Sequence, residues 1–314
     1  MYRYILKRVL LLIPVLLSVI FVVFFIMSLT PTDAAEVILG NDGTPESLAR
    51  LRQELGLDKP LLVQYVNYVR NLLKGDMGTS YRSGLSISEQ IFDKLPNTMI
   101  LACSAVLIAV LIGIPAGIIS AKKQYTAFDN TVTFVALIGA AVPGFWMGLM
   151  GVLLFSVKLG WLPAARMGKT LPLLLKSLIL PAFTVSTNTC AMITRQTRSS
   201  MLEVIKQDYI DTARSKGVKE SVVTFRHMLS NALIPIITVI GLQIGVLLGG
   251  SVITENVFAW PGIGKYVVDS ITNRDTPAVL GCVVVISVLF SLANLCVDLL
   301  YAFVDPRIKS QYSK

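Results

Sequence analysis

The spacing of charged residues is the feature that most limits how this sequence can fold. Six uncharged runs reach at least 18 residues, and the next longest, 60–69, has ten. A helix needs about 20 mostly apolar residues to cross a bilayer, and only those six runs approach this length. The sequence therefore predicts an all-α polytopic membrane protein with six transmembrane helices. The six runs are 9–32, 95–121, 130–157, 177–194, 227–254 and 276–297.

The composition agrees with this class and excludes several others. Charged residues make up 15% of the chain, where a soluble domain has roughly 25%, and the mean hydropathy is +0.69. A soluble enzyme, a disordered chain and a secreted disulfide scaffold are thereby excluded. The strands of an outer-membrane barrel would give alternating segments of about ten residues, not uncharged runs of this length.

The distribution of Lys and Arg predicts the orientation of the chain. With a cytoplasmic N-terminus, the inner segments hold fifteen Lys and Arg, and the short outer loops 158–176 and 255–275 hold six. Inner loops are enriched in these residues, so both termini are predicted to be cytoplasmic. The net charge of +9 is then explained by this bias and by attraction to anionic lipid headgroups, not by nucleic-acid binding.

The segment between the first two spans, 33–94, is predicted to be external and partly helical. Thr44 and Pro45 are typical of a helix start, and Gly56 of its end. Pro60 and Gly75 bound a second amphipathic segment. These helices are predicted to lie against the outer membrane face or the tops of the spans, where they either form a packed cap or dock a partner. The domain division predicted from these features is 1–94, then a five-helix membrane domain 95–303, then a cytoplasmic tail 304–314.

The largest cytoplasmic connection contains the pattern of a surface helix. Ile205, Tyr209, Ile210 and Ala213 have helical spacing among charges of both signs, and Gly217 interrupts the pattern. A short helix, a glycine turn and a second short helix are expected. Such an element fits a groove on another protein, or alternatively rests on lipid.

This connection resembles the EAA loop of ABC importer permeases. Asp211-Thr212-Ala213 takes the place of the E-A-A residues, Gly217 follows four positions later, and Leu229 stands twelve further on, although Ser230 replaces the proline that ends the motif. Further resemblance to the dipeptide, oligopeptide and nickel branch of the family covers nearly the whole chain. It includes Gly56–Leu61, Gln64-Tyr65, Gly75–Gly78, Glu203–Gly217, Trp260–Gly264, Arg274-Asp275, Asn294-Leu295, Asp298, Tyr301 and Asp305–Arg307.

The resemblance implies a mechanism and a set of partners. The loop, 199–226 in this chain, would form the coupling helix that seats in a cleft of an ATPase subunit, with Asp211, Ala213 and Gly217 at its core. The partners would be a second homologous permease, two cytoplasmic ABC ATPases and an extracytoplasmic solute-binding protein. The remaining residues assigned to the coupling loop are Glu203, Asp208, Tyr209, Arg214 and Lys216.

No nucleotide, metal or catalytic site is predicted within the chain. Gly168-Lys169-Thr170 imitates the end of a phosphate-binding loop, but Pro163 stands where the first glycine is required. ATP and Mg are therefore expected to be bound by the ATPase partners. The single histidine, His227, has no clustered carboxylate or cysteine beside it, so the chain is predicted to be a non-catalytic subunit.

Polar residues within the spans supply the remaining candidates. Asn294, Asp298 and Tyr301 share one face of the sixth span and are predicted to form a structural polar cluster, with a proton relay through Asp298 as the alternative. Gly241, Gly245 and Gly249 recur at intervals of four, which is typical of a close helix contact in lipid. In the resembling family the fifth span lines the path between the two permeases. Asn188, Thr189, Gln243 and Ser251 are the candidate lining residues.

The function predicted from the sequence is that of a permease subunit of an ATP-driven importer in the bacterial or archaeal cytoplasmic membrane. It would form half of the translocation pathway for a dipeptide, a longer peptide, or a related solute such as a nickel chelate or glutathione. The alternative is an ion- or proton-driven secondary transporter that works alone.

Overall fold

The computed structural model describes residues 2–29, 33–40 and 43–304, without the side chains of 2–9, 249–250, 298 and 300–304. Fourteen α-helices and two π-helical segments, Val152–Lys158 and Val223–Leu229, make up most of this part of the chain, and it contains no strand. The helices are α1 Tyr2–Ser28, α2 Ala34–Leu39, α3 Pro45–Glu54, α4 Leu61–Leu73, α5 Ile87–Lys122, α6 Ala127–Ala141, α7 Gly144–Gly151, α8 Leu171–Ile205, α9 Asp208–Ser215, α10 Glu220–Val222, α11 Ser230–Gly250, α12 Val252–Val257, α13 Ile263–Thr272 and α14 Thr276–Val304.

Five of the described helical stretches are long and apolar enough to cross a membrane, and a sixth candidate is bent. The bent candidate joins Ala127–Ala141 to Gly144–Lys158 at an angle of 100°. Pro143 explains the break, because a proline disfavours the helical conformation of the residue before it, and Val142 is extended. If the bent pair counts as one span, the structure has the six spans predicted from the uncharged runs. The five unbroken stretches are Leu10–Ser28, Ile87–Lys122, Leu171–Ile205, Glu220–Leu248 and Thr276–Val297.

The helices predicted between the first two spans are present and begin and end as the sequence indicates. The Thr44 hydroxyl caps α3 by accepting a hydrogen bond from the Ser47 amide at 3.2 Å, and Pro45 is the first helical residue. Gly56 and Gly75 follow α3 and α4 with φ of +68° and +83°. A glycine adopts this left-handed conformation without the steric penalty of a β-carbon, so both helices end there.

The chain divides into two compact units. The chain passes between them at three points: within α5, just before α13, and within α14. The N-terminal unit comprises Tyr2–Thr98 and Pro261–Ser291, and the central unit comprises Met99–Trp260 and the chain from Leu292 onward. Pro261–Ser291 groups with the N-terminal segment because α13 and α14 pack against the start of α5. The side chains of this core are Ile87, Ile91, Ile263, Val267, Ala278 and Cys282. The segments 1–94, 95–303 and 304–314 remain a prediction, and residues 305–314 lie outside the described part.

One glycine of the predicted stripe on α11 makes a close helix contact in the central unit. A β-carbon built on Gly241 would lie 2.2 Å from Cγ2 of Val297 on α14. The glycine therefore allows an approach that no larger residue would permit. The side chains of 249–250 lie outside the described part, so the stripe is supported at Gly241.

Candidate functional site

The connection that the sequence predicts to be cytoplasmic folds as a short helix closed by a glycine. Helix α9 runs from Asp208 to Ser215, and Gly217 follows with φ of +74°. The Gly217 amide donates to the Arg214 carbonyl at 2.9 Å, and the Val218 amide donates to the Ala213 carbonyl at 3.3 Å. This pair of bonds is the Schellman arrangement that terminates many helices. The predicted helix and glycine turn are both present, although Ile205 ends α8 instead of belonging to α9.

A single buried side chain anchors α9 in the central unit. Ile210 is fully buried, and Ala213 packs against the same cluster. Burying a side chain of this size stabilises by about 1.5–3 kcal/mol. Ala213 is thus partly buried against the protein's own core. A β-carbon at Gly217, in contrast, would meet nothing within 4 Å. The buried members of the cluster are Ile118, Ala121, Met201, Ile210, Val223, Met228, Ala232 and Ile236.

The opposite face of α9 is polar and exposed. Asp208 and Asp211 at its start and Lys216 at its end are exposed, and Tyr209 is 43% exposed. Partial burial raises the pKa of the Tyr209 phenol above its ordinary value. Glu203 is also exposed, on the last turns of α8. The loop therefore offers one aromatic ring and charges of both signs to solvent.

Ion pairs connect α9 to its neighbours. The Arg214 guanidinium donates to both carboxylate oxygens of Glu220, at 3.3 and 3.1 Å, and lies 3.7 Å from Asp211. Lys122, the last residue of α5, donates to the Thr224 hydroxyl at 3.0 Å and approaches Glu220 at 4.0 Å. These side chains are about half exposed, and such pairs contribute roughly 0–1 kcal/mol each. Burial of Ile210 therefore holds α9 more firmly than its ion pairs do.

A buried carboxylate that the sequence analysis missed ties three helices together beside this loop. Asp129, on the first turn of α6, accepts two hydrogen bonds from Arg198 of α8, at 2.7 and 2.8 Å. Ser120 of α5 donates to the same carboxylate at 2.5 Å, and the Tyr125 amide donates at 3.0 Å. A buried charge requires such compensation. The available signal was the capping pattern Thr126-x-x-Asp129, which marks a helix start but does not identify Arg198 as a partner.

The four candidate lining residues differ in burial and in hydrogen bonding. Asn188 is exposed and approaches the Ala140 carbonyl at 3.5 Å, and Gln243 is half-buried. Thr189 is buried, and so is Ser251, whose hydroxyl donates to the Glu255 carboxylate at 2.8 Å. The lining role of all four remains a prediction.

The polar cluster on the sixth span is only partly described. Asn294 is half-buried on α14, and the side chains of Asp298 and Tyr301 lie outside the described part. Within the described residues, no group of three or more His, Cys, Asp or Glu side chains could hold a metal ion.

Comparison with known proteins identifies the family. Residues 113–310 match the family described as binding-protein-dependent transport system inner membrane component, and residues 1–102 match the family of the corresponding N-terminal segment. The chain belongs to this family. It is 43% identical to the dipeptide transport system permease protein DppB of Alkalihalophilus pseudofirmus, over 98% of this chain and 100% of the relative. It is also 43% identical to the oligopeptide transport system permease protein AppB of Bacillus subtilis, with the same coverage.

A solved structure supports the fold. The methionine ABC transporter MetNI in inward-facing conformations matches with a TM-score of 0.55 and 17% identity, over 69% of this chain and 96% of that one. The family and the apolar helices together identify a multi-pass permease subunit of an ABC importer in the bacterial cytoplasmic membrane. They do not favour the alternative of a secondary transporter that works alone.

Proposed function

We propose that this permease forms half of the translocation pathway of a peptide importer and uses α9 to receive the conformational change of an ATPase subunit. The arrangement of α9 carries the coupling role, because Ile210 fixes the helix to the core while Tyr209, Asp211 and Lys216 are exposed and can contact a partner. An exposed polar face on an element anchored by burial suits a surface that transmits force to the membrane helices. The names of the two relatives favour di- and oligopeptides as cargo.

The remaining partners and the cofactors follow from this role. A second homologous permease would complete the pathway, an extracytoplasmic solute-binding protein would deliver the peptide, and ATP and Mg would be bound by two cytoplasmic ATPases. This chain itself would contribute no catalytic residue to ATP hydrolysis. Asn188, Thr189, Gln243 and Ser251 are the proposed lining residues.

Transport in reconstituted vesicles tests the function. The chain is combined with its second permease, ATPases and solute-binding protein, and uptake of labelled peptides of two to five residues is followed with ATP supplied at the ATPase face. We expect uptake that requires both ATP and the binding protein. The same vesicles with this chain alone and an imposed proton gradient should take up nothing. Gradient-driven uptake by the chain alone would support the secondary transporter, and uptake of only a nickel chelate or glutathione would overturn the peptide assignment.

A further inference from the structure

Helix α4 of the N-terminal unit packs alongside the first membrane span, well below its outer end. The Tyr65 hydroxyl donates to the Leu17 carbonyl at 3.0 Å, and the Tyr65 ring meets the Phe21 ring edge-on at 5.4 Å between centroids. The Tyr68 ring lies 6.1 Å from the Phe24 ring. The same core includes Ile20 of α1 and Leu280 and Val284 of α14.

The rise of an α-helix, 1.5 Å per residue, gives the depth of these contacts in the membrane. The apolar stretch Leu10–Ser28 has 19 residues and is about 28 Å long at 1.5 Å per residue, which matches a hydrocarbon layer of about 30 Å. Phe24 and Leu17 therefore lie about 6 and 16 Å below the outer end of α1. On α14, which starts at Thr276, Leu280 and Val284 lie about 6 and 12 Å below its outer end. Phe24, Leu280 and Val284 thus lie in the outer half of this layer and Leu17 lies near its middle, so the contacts of α4 fall at the depth of the acyl chains.

A different face of α4 carries apolar side chains that are largely exposed in the described part of the structure. Leu62, Val66 and Leu73 are 63, 59 and 84% exposed. Together with Val69 they recur at intervals of four, three and four residues, so they form one stripe along the helix, which we call the outer stripe. Exposing these side chains to water would cost about 25 cal/mol of free energy per Å² of apolar surface.

The remaining face of α4 is polar. Gln64, Asn67 and Asn71 are spaced at three and four residues and line a pocket of the N-terminal unit that also includes Asp76 and Arg274. Arg70 is the one charged side chain in the sequence of α4, and it is exposed. By helical geometry, Arg70 lies between the outer stripe and the polar face, where a long side chain reaches the headgroup region. Aromatic, apolar and polar faces therefore follow one another around the helix.

We propose that α4 is an additional membrane-embedded element, lying in the outer leaflet with its outer stripe on lipid acyl chains and its polar face toward water. Three observations favour lipid as the occupant. The aromatic face is fixed at the depth of the acyl chains, the outer stripe holds only aliphatic side chains, and α1 exposes Phe21, Phe25 and Ile26 at the same level. An amphipathic helix with this division of faces is suited to the membrane interface. The proposal does not depend on the cargo of the transporter.

Fluorescence quenching from two directions tests the proposal. Val66→Cys on the outer stripe and its neighbour Asn67→Cys on the polar face are each labelled with bimane, in chains whose four native cysteines are replaced by alanine. The assembled transporter is reconstituted in phospholipid vesicles with its outer face exposed. Acyl-brominated lipid should quench the label at 66 severalfold more than external iodide does. The order should be reversed at 67.

Two results would overturn the proposal. Quenching of the label at 66 by iodide would place the outer stripe in water, and protection from both quenchers would mean that the second permease or the binding protein covers it. ATP-driven transport by each labelled variant serves as the check of folding. If the alanine background does not transport, the substitutions are made in the native background and the signal of the labelled parent chain is subtracted. Leu62→Cys, on the same stripe, should repeat the result at 66.

Discussion

At the scale of single residues, Gly217 is required for its backbone conformation and not for space inside the chain. Its φ is +74°, and a β-carbon there would meet nothing within 4 Å. A left-handed conformation costs about 1–2 kcal/mol for a residue with a β-carbon, but Asn adopts it more readily than other residues. Two causes of failure can therefore be separated at this position: a changed turn and a crowded docking surface.

We expect Gly217→Val to keep membrane expression and pairing with the second permease, because Ile210 still anchors α9. It should lower recovery of the ATPase subunits and abolish substrate-stimulated ATP hydrolysis. Gly217→Asn is the matched control and should retain most of that stimulation, since the turn is preserved. Affinity purification of the tagged chain followed by ATPase measurement in lipid gives both values. Equal defects in the two variants would point to bulk at the docking surface, and full activity of Gly217→Val would show that this loop does not couple.

The ion pair between Asp129 and Arg198 gives a second prediction for single residues. Arg198→Met removes the partner of a buried carboxylate and should destabilise the central unit by about 3 kcal/mol. Adding Asp129→Asn removes the charge that was left unpaired, so the double variant should recover part of the loss. Thermal unfolding in detergent, followed by size-exclusion chromatography of the folded fraction, compares the four chains. Strictly additive losses would mean that the two side chains do not stabilise each other.

At the scale of helices, the contact between α11 and α14 depends on complementary side-chain volumes. A β-carbon on Gly241 would lie 2.2 Å from Cγ2 of Val297, and the other methyl group of Val297 would be 2.7 Å away. Gly241→Ala should therefore lower the unfolding temperature and the folded yield, since overpacking costs about 1–3 kcal/mol. Val297→Ala removes both methyl groups, so the double variant should exceed Gly241→Ala in folded yield. Gly151, whose β-carbon would approach Leu180 no closer than 3.5 Å, offers a control: Gly151→Ala should be nearly neutral.

The same scale shows what the sequence could and could not predict. The uncharged runs predicted the five unbroken candidate spans and coincide with the bent pair, and Thr44, Pro45 and Gly56 predicted the ends of α3, because these signals are local. The bond between Asp129 and Arg198 was not predictable, since it joins residues far apart in sequence and depends on how α6 packs against α8. The π-helical segments, one at the end of the third candidate span and one near the start of the fifth, also escaped prediction, because their sequences carry no signal that separates them from an α-helix.

At the scale of the whole molecule, the bend between α6 and α7 decides on which side of the membrane α9 lies. If the bent pair crosses the bilayer, six spans place α9 on the same side as the N-terminus, where an ATPase can reach it. If the pair enters and leaves on one side, five spans place α9 outside. The distribution of Lys and Arg favours the first arrangement, with fifteen on the proposed inner side and six in the short outer loops.

Labelling with a membrane-impermeant thiol reagent distinguishes the two arrangements. Lys169→Cys lies in the connection between the bent pair and α8, and Lys216→Cys lies at the end of α9; both positions are exposed. We expect intact cells to label Lys169→Cys and an external control, Asn67→Cys, because six spans place both outside. Lys216→Cys should react only after the membrane is permeabilised, and the unsubstituted chain gives the background of the native cysteines. External labelling of Lys216→Cys with protection of Lys169→Cys would establish five spans. Helix α9 would then be out of reach of a cytoplasmic ATPase, and its proposed coupling role would fail with the topology.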